Sequence, residues 1–253
     1  MQLNGIAAVV AGGASGLGAA TARELAAGGA KVAIFDLNVD LAAKVAAEIG
    51  GIAMRCDVTS SDSAEAAFAE AAAKHGAARV LVNCAGVANP AKAVSKRGPL
   101  PLADFNKVVQ INLVGTFNMV RLAAFGMQQL EPLADGERGV IVNTASVAAF
   151  DGQIGQPAYA ATKAAVAGMT LPLAREFAET GIRVCTIAPG LFLTPMLEGL
   201  PPPARDALVA STLFPKRLGH PGEYGRLARH IVENALLNGE TIRLDGAIRL
   251  APR

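Results

Sequence analysis

The sequence has few residues of the types that commonly hold metals or stack on bases. It contains no tryptophan, two tyrosines and three histidines in 253 residues. His75, His220 and His230 lack partners at the spacing of a metal site or a hydrolase triad, so we expect no bound metal. The basic stretch 216–230 contains one aromatic residue, Tyr224, which favours a solvated helix face over a nucleic-acid surface.

Cysteine and net charge are also scarce. Cys56, Cys84 and Cys185 are far apart, without a CxxC pair, and each ends an apolar run. This favours reduced core residues in a cytoplasmic protein over disulfides or metal ligands. The formal net charge of +2 indicates neither a nucleic acid nor a membrane surface as partner. Residues 1–22 lack charge, but their five glycines match neither a signal peptide nor a membrane span.

Apolar runs alternate with helical patterns along the whole chain. The runs are 6–11, 31–36, 52–57, 79–84, 139–144, 183–188 and 241–246. Helical patterns lie near 17–28, 39–49, 62–75, 103–130, 158–179 and 222–237. Alternating elements with strands apolar on both faces predict an α/β fold, a Rossmann-type doubly wound parallel sheet with helices on both faces. Without a linker or repeat, we expect residues 1–253 to form a single domain.

Three loops interrupt this alternation. They cover 88–101, 131–139 and 189–206, and the last contains five prolines. Long loops in compact domains are often functional, so 189–206 is interpreted as a lid over a pocket, with an exposed connection as the alternative. Pro172 lies within a predicted helix and should kink or divide it.

The segment AGGASGLG (11–18) follows the first predicted strand and opens a helix. This is the context of a dinucleotide-binding loop, in which Gly12 makes the turn, Gly16 admits a pyrophosphate and Gly18 allows close packing. The helix N-terminus would then face the phosphates. Ser15 and Leu17 belong to the same predicted cofactor site.

Asp36 ends the second predicted strand, where a carboxylate can bind an adenine ribose. Its charge would repel a 2′-phosphate, and Leu37 and Asn38 offer no cation, so we expect NAD rather than NADP. Asp36 or Asn38 could instead cap the next helix. Asp57 and Val58 follow the third strand near the expected adenine, although Asp57 could also be a helix cap.

YAATK places Tyr159 four residues before Lys163, on one face of a predicted helix. Either the pair is structural, with the tyrosine in a core and the lysine reaching outward, or it is catalytic. An adjacent ammonium and a positive nicotinamide would favour the phenolate and make the tyrosine a better proton carrier. Ser146, at the end of the fifth strand, could bind a developing oxyanion.

Taken together, these motifs resemble those of the short-chain dehydrogenase/reductase family over essentially the whole chain. The matching elements are the glycine loop, NCAG (Asn83 to Gly86), Asn112 in INLVGTF, Ser146, the Tyr159 and Lys163 pair, Pro189-Gly190, and Thr194. Ala11 and Cys84 depart from the family pattern, in which threonine and asparagine are usual.

The resemblance implies roles for these residues. Asn112, Ser146, Tyr159 and Lys163 would be catalytic, with Asn112 holding a water that links the lysine to solvent. Further cofactor contacts would come from Asn83, Ala85, Gly86, Tyr159, Lys163, Pro189, Gly190 and Thr194. Ser146, Gln153 and Tyr159 would contact the substrate.

Five other runs, among them FPKRLGHPGEY, are similar to a subgroup that oxidises L-3-hydroxyacyl-CoA, including short 2-methyl-branched forms, with NAD. This implies an acyl-CoA substrate, a role in fatty-acid and branched-chain amino-acid degradation, and a homotetramer formed through the helices at 103–130 and 158–179. Lys92, Lys96 and Arg97 could approach the CoA phosphates. Alternatives are an NADPH-dependent acetoacetyl-CoA reductase, a steroid or secondary-alcohol dehydrogenase, a non-catalytic dinucleotide sensor and a nucleic-acid-binding protein.

Overall fold

Seven parallel strands form one sheet in a computed structural model that describes residues 1–195 and 202–252. They are β1 (Ala7–Ala11), β2 (Lys31–Asp36), β3 (Ile52–Arg55), β4 (Val80–Asn83), β7 (Gly139–Thr144), β8 (Ile182–Pro189) and β9 (Thr241–Leu244). The spatial order is β3-β2-β1-β4-β7-β8-β9. The chain therefore reverses its direction of winding between β1 and β4, and this is where doubly wound sheets bind ligands. Short strands β5 (Val94–Ser95) and β6 (Gly98–Pro99) pair separately as an antiparallel hairpin.

Helices cover both faces of the large sheet. They are α1 (Gly16–Ala27), α2 (Val39–Ile49), α3 (Ser61–His75), α4 (Leu102–Val109), α5 (Thr116–Gln128), α6 (Pro157–Glu176), α7 (Pro202–Ser211) and α8 (Pro221–Glu233). A π-helical turn, Gln110–Gly115, joins α4 to α5. Single 3-10 turns lie at Ala134–Gly136, Val147–Ala149 and Ala178–Thr180.

The strands are apolar on both sides because each side meets a helical layer. Val10 and Val82 pack with residues of α1, α2 and α8, while Val9 and Leu81 point to α3, α5 and α6. All four side chains are buried. This two-sided core confirms the predicted α/β fold and fixes the carboxyl ends of the strands along one edge.

Some elements differ from their predictions. The predicted helix over 103–130 is interrupted by the π-helical turn, and α6 runs through Pro172 without dividing. The 88–101 loop contains the β5–β6 hairpin. The predicted lid over 189–206 falls partly on 196–201, outside the described residues, and α7 occupies part of its remainder.

The helical segment Leu102–Gln128 is long and apolar enough, by length and composition, to cross a membrane. Half of its most apolar stretch of 18 residues is buried inside the protein, as in a core helix of a soluble fold. By itself the segment is weak support for a membrane span.

Candidate active site

A cavity of about 620 Å³ lies at the carboxyl ends of the central strands, where the winding of the sheet reverses between β1 and β4. Sixteen of the predicted site residues line it: Gly12, Ser15, Gly16, Leu17, Gly18, Asp36, Asp57, Val58, Ala85, Gly86, Ser146, Tyr159, Lys163, Pro189, Gly190 and Thr194. Three others, Asn83, Asn112 and Gln153, do not line this cavity.

The glycine loop is packed so closely at Gly12 and Gly18 that neither position has room for a side chain. Gly12 has a φ of 73°, and a Cβ there would lie 2.5 Å from the backbone nitrogen of Ala85. A Cβ at Gly18 would lie 2.1 Å from the carbonyl oxygen of Gly12. The loop therefore closes onto both α1 and the NCAG turn, leaving backbone and the N-terminus of α1 facing the cavity. This cradle of backbone groups at a helix N-terminus fits a dinucleotide pyrophosphate.

Asp36 braces the glycine loop and does not cap α2. Its two carboxylate oxygens accept from the backbone nitrogens of Ala14 and Asn38, both at 3.0 Å. Asn38 is the cap, because its Oδ1 accepts from the nitrogen of Leu41 at 3.0 Å. The capping alternative thus holds for Asn38 and is wrong for Asp36, whose carboxylate lies in the cavity wall.

Asp57 likewise does not cap the helix that follows it. Its Oδ1 accepts from the nitrogen and the hydroxyl of Thr59, at 2.9 and 2.7 Å. The cap of α3 is Ser60, which accepts from the nitrogen of Ser63. Asp57 and Val58 remain together in the cavity wall, on the side expected for adenine.

The NCAG turn has a buried half and a cavity-facing half. The Asn83 amide is buried and donates to Asn143 Oδ1 at 2.9 Å, joining β4 to β7. Cys84, predicted as a core residue, is half-buried, whereas Cys56 and Cys185 are buried as predicted; Cys56 and Cys84 both line the cavity. Burial raises the pKa of the Cys84 thiol, so it stays protonated near neutrality.

Asn112 is fully buried in the π-helical turn. Its Oδ1 accepts from the nitrogen of Val87 at 2.8 Å, and its Nδ2 donates to the carbonyl of Val87 at 2.9 Å. Nδ2 also lies 3.2 Å from the Thr162 hydroxyl. A Cβ added at Gly86 would lie 3.3 Å from Asn112 Oδ1 and 3.4 Å from Lys163 Nζ, so both groups converge on this glycine.

Lys163 points into the protein. Only 5% of it is exposed, its Nζ donates to the Thr144 carbonyl at 2.8 Å, and it lies 5.7 Å from the centroid of the Tyr159 ring. The outward-reaching alternative is therefore wrong. Burial, which disfavours the ammonium, lowers the pKa of Lys163 to about 8.

Burial and the neighbouring Ser146 act in opposite directions on the pKa of Tyr159. Burial raises its pKa, and the Ser146 hydroxyl beside it offsets only part of that rise. In the protein alone the surrounding side chains thus favour the protonated phenol, and the phenolate interpretation, which also counts the positive nicotinamide, stays a prediction. Ser146 is held by the nitrogen of Ala148, which donates to its Oγ at 3.1 Å, so its orientation is fixed toward the tyrosine side.

The structure does not bring Gln153 into the cavity. Its Nε2 donates to the carbonyl of Ala251 at 2.9 Å, and it borders a separate shallow depression with Lys92 and Gln156. Sequence reasoning also missed two residues, Thr144, which lines the cavity, and Tyr224, which is fully buried behind it. The rarity of tyrosine was the available signal for Tyr224.

Comparisons with known proteins extend the similarity beyond these motifs. A family model described as short chain dehydrogenase matches residues 6–204. The chain is 54% identical over 248 residues to a 3-hydroxyacyl-CoA dehydrogenase type-2 of Drosophila melanogaster, covering 96% of this chain and 97% of that protein. It is 50% identical over 255 residues to the Homo sapiens protein of the same name, covering 99% and 98%. A crystal structure of 3-hydroxyacyl-CoA dehydrogenase type-2 from Mycobacterium avium matches with a TM-score of 0.95 and 43% identity, covering 98% of each chain.

Proposed function

The chain belongs to the short-chain dehydrogenase family, and on that premise we propose that it interconverts L-3-hydroxyacyl-CoA and 3-oxoacyl-CoA with NAD(H). The observation that carries this proposal is the convergence of Ser146, Tyr159 and Lys163 on one cavity beside the glycine loop. The relatives named for this activity match over nearly the whole chain. The acyl chains proposed are short or 2-methyl-branched, in fatty-acid and branched-chain amino-acid degradation.

The nicotinamide cofactor, when bound, accepts or supplies the hydride. Tyr159 is the acid in the reducing direction, because burial keeps its phenol protonated. Ser146 donates a hydrogen bond to the substrate oxygen as negative charge develops on it. Lys163 holds its ammonium behind the tyrosine and is the donor for the cofactor's ribose hydroxyls. Asn112 orders a water that passes protons from Lys163 to solvent.

NAD is the proposed cofactor, rather than NADP. The Asp36 carboxylate lies in the cavity wall and is held in place by two backbone nitrogens. A 2′-phosphate at that position would meet a fixed negative charge, while Leu37, 60% exposed, offers no compensating cation. Asp36→Ala should therefore reduce the preference of kcat/KM for NADH over NADPH.

The β5–β6 hairpin is the proposed contact for the CoA phosphates. Lys96 and Arg97 form its turn, Lys92 lies two residues before β5, and all three are exposed. The nitrogen of Ala91 donates to the carbonyl of Gly155 at 2.7 Å, which ties the base of the hairpin to the segment after Ser146. Neutralising the three cations should raise KM for acyl-CoA and leave turnover of a small secondary alcohol unchanged. An unchanged KM would contradict this contact.

We also propose a homotetramer in the cytoplasm, without a nucleic-acid or membrane partner. The exposed apolar side chains of Phe117 and Phe125 on α5 and of Leu171 on α6 support the assembly. A steroid or secondary-alcohol dehydrogenase activity is the second candidate, because the cavity wall is mostly apolar around the catalytic side chains.

The deciding experiment is a spectrophotometric assay of acetoacetyl-CoA reduction with NADH and, separately, with NADPH. We expect turnover with NADH that Tyr159→Phe lowers by about 10² to 10⁴, the usual contribution of a general acid. NADH affinity, measured by calorimetry, should change little in this variant, because the phenyl ring retains the packing. A preference for NADPH would contradict the assignment of Asp36, and absence of turnover with both would favour the second candidate.

A further inference from the structure

Tyr224 is a buried side chain behind the cavity, and the mechanism proposed above gives it no role. It belongs to α8, which packs on α1, and none of its surface is exposed. A tyrosine hydroxyl taken fully out of water needs a partner. Its partner is the Thr144 hydroxyl, 2.6 Å away, at the end of β7.

The hydroxyls form a directed chain of hydrogen bonds. Thr144 Oγ1 donates to the carbonyl of Asn83, which uses its one proton, so Tyr224 must donate to Thr144. The Cys84 thiol, 3.9 Å from the Tyr224 oxygen, can donate to it in turn. Burial raises the pKa of both Cys84 and Tyr224, and each therefore keeps the proton that this direction requires.

This chain of hydrogen bonds ends at Thr144, the residue whose carbonyl binds the Lys163 ammonium. The carbonyl of Thr144 accepts from Lys163 Nζ at 2.8 Å, while the side chain of the same residue bonds to Asn83 and Tyr224. The position of that carbonyl is thus set by contacts on both sides of Thr144. Cys84 replaces the family's asparagine at this place in the turn, and the Tyr224 hydroxyl supplies a polar partner for it.

The ring of Tyr224 reaches a second wall of the cavity. It packs edge-on against Phe192, with the ring centroids 6.5 Å apart. The segment around Phe192 is pinned to Gly219, because Leu193 donates to the Gly219 carbonyl and Gly219 donates to the Leu191 carbonyl, both at 2.8 Å. Phe192 itself lines the cavity.

We infer that Tyr224 is a positioning residue for the reaction: its hydroxyl fixes Thr144 and thereby the ammonium of Lys163, and its ring seats the Phe192 segment. This rests on the role proposed for Lys163. The hydroxyl and the ring of Tyr224 should therefore have separate effects. Removal of the hydroxyl should affect turnover, whereas removal of the ring should also weaken cofactor binding.

The test compares Tyr224→Phe with Tyr224→Leu. Tyr224→Phe should lower kcat roughly tenfold, as expected for loss of a net hydrogen-bond contribution, with the Kd for NADH changed less than about twofold. Loss of the Tyr224 hydroxyl should weaken the bond from the Lys163 ammonium to the Thr144 carbonyl and so lower the pKa of Lys163. The basic limb of the pH profile of kcat should therefore move to lower pH. Tyr224→Leu should in addition raise the Kd for NADH several-fold. Thr144→Val should reproduce Tyr224→Phe, and the double variant should lose no more than either single one.

Thr170→Val is the matched control. Thr170 is buried and its hydroxyl lies 2.6 Å from that of Thr186, the same separation as in the Tyr224 pair, but neither threonine lines the cavity. This variant should lower the unfolding temperature without moving the pH limb. If Tyr224→Phe behaves like this control, the role is structural only and the inference is wrong.

A second readout separates this result from failure of the proposed substrate. NADH binding followed from neutral pH to about pH 10 reports the titration of Lys163 without any acyl-CoA. Its basic limb must shift in Tyr224→Phe even if the wild type does not reduce acetoacetyl-CoA. An unshifted limb in that assay would overturn the inference, whatever the substrate.

Discussion

Lys163 shows how the active site departs from what stability alone would select. Lys163 is 5% exposed, its ammonium donates to one backbone carbonyl, and no carboxylate contributes to its pKa of about 8. Such burial costs free energy of folding while the group is charged. The site therefore holds a proton carrier at the expense of the free energy of unfolding.

We predict that Lys163→Met abolishes turnover but raises the free energy of unfolding at pH 7 by roughly 1–3 kcal/mol, since a buried charge is replaced by an apolar chain. The pKa is about 8 when folded and ordinary, near 10.5, when unfolded. The unfolded state then binds more protons in that interval, so the wild-type protein recovers stability as pH rises through it. The advantage of the variant should shrink between pH 8 and 10.5.

Urea denaturation at a series of pH values measures this difference. Lys44→Met is the control, because Lys44 is exposed on α2 and its replacement should give no comparable pH-dependent change. A Lys163→Met protein that is less stable than the wild type at pH 7 would show that the Thr144 hydrogen bond outweighs the cost of burial.

The sequence predicted the Tyr159 and Lys163 pair from its helical spacing, but not the direction of the lysine. Helical periodicity places two side chains on one face, and only the packing of α6 against β7 decides whether that face is inside. The displacement of Gln153 has a similar cause. Its partner, Ala251, is 98 positions away in the chain, and a local motif carries no information on such a contact.

Among the elements, the glycine loop was the easiest to predict and the π-helical turn the hardest. The loop follows from residue types at fixed spacing between a strand and a helix. The π-helical turn changes the hydrogen-bonding pattern within one helical segment, and no proline marks the change in the sequence. The turn contains Asn112, whose side-chain amide binds both the backbone nitrogen and the carbonyl of Val87.

We predict that Gly18→Ala raises the Kd for NADH more than tenfold and lowers the free energy of unfolding by roughly 1–3 kcal/mol, as an overpacked contact does. The added Cβ would lie 2.1 Å from the Gly12 carbonyl oxygen, so the loop must move off its position. Calorimetry with NADH and thermal denaturation measure the two effects.

Gly126→Ala is the control for this change. Gly126 lies in α5, and a Cβ there meets no atom within 4 Å among the residues that the structure describes. Replacing glycine by alanine inside a helix should stabilise the protein by about 0.5–1 kcal/mol and leave NADH binding unchanged. Equal NADH affinity in Gly18→Ala and the wild type would show that the loop does not bind the pyrophosphate.

The arrangement of the whole sheet explains why scattered motifs form one site. All seven strands are parallel, and the winding reverses between β1 and β4. The segments after β1, β4, β7 and β8 therefore meet at one edge although they are far apart in the chain. This convergence was predictable from the alternation of strands and helices. The contact of α8 with the site through Tyr224 was not predictable in this way, because it depends on how α8 packs against α1 and the sheet.

Large apolar side chains are exposed on the surface of the π-helical turn, α5 and α6. Val114, Phe117 and Phe125 of the π-helical turn and α5, with Leu171 of α6, are exposed by 39%, 46%, 68% and 45%. We call these four residues the α5–α6 face. Large apolar side chains grouped on one layer are typical of association surfaces, because exposed apolar patches of this kind are uncommon in monomers.

We predict that the wild-type protein sediments as a tetramer and that Phe117→Glu with Phe125→Glu reduces its mass to a dimer or a monomer, because carboxylates in place of two apolar side chains would have to lose their hydration in the interface. Leu41→Glu on α2, where the leucine is 38% exposed, is the control and should leave the assembly intact. Sedimentation velocity at several concentrations measures the mass. A wild-type monomer, or a double variant that remains a tetramer, would contradict the assignment of this face as an interface between copies of the chain.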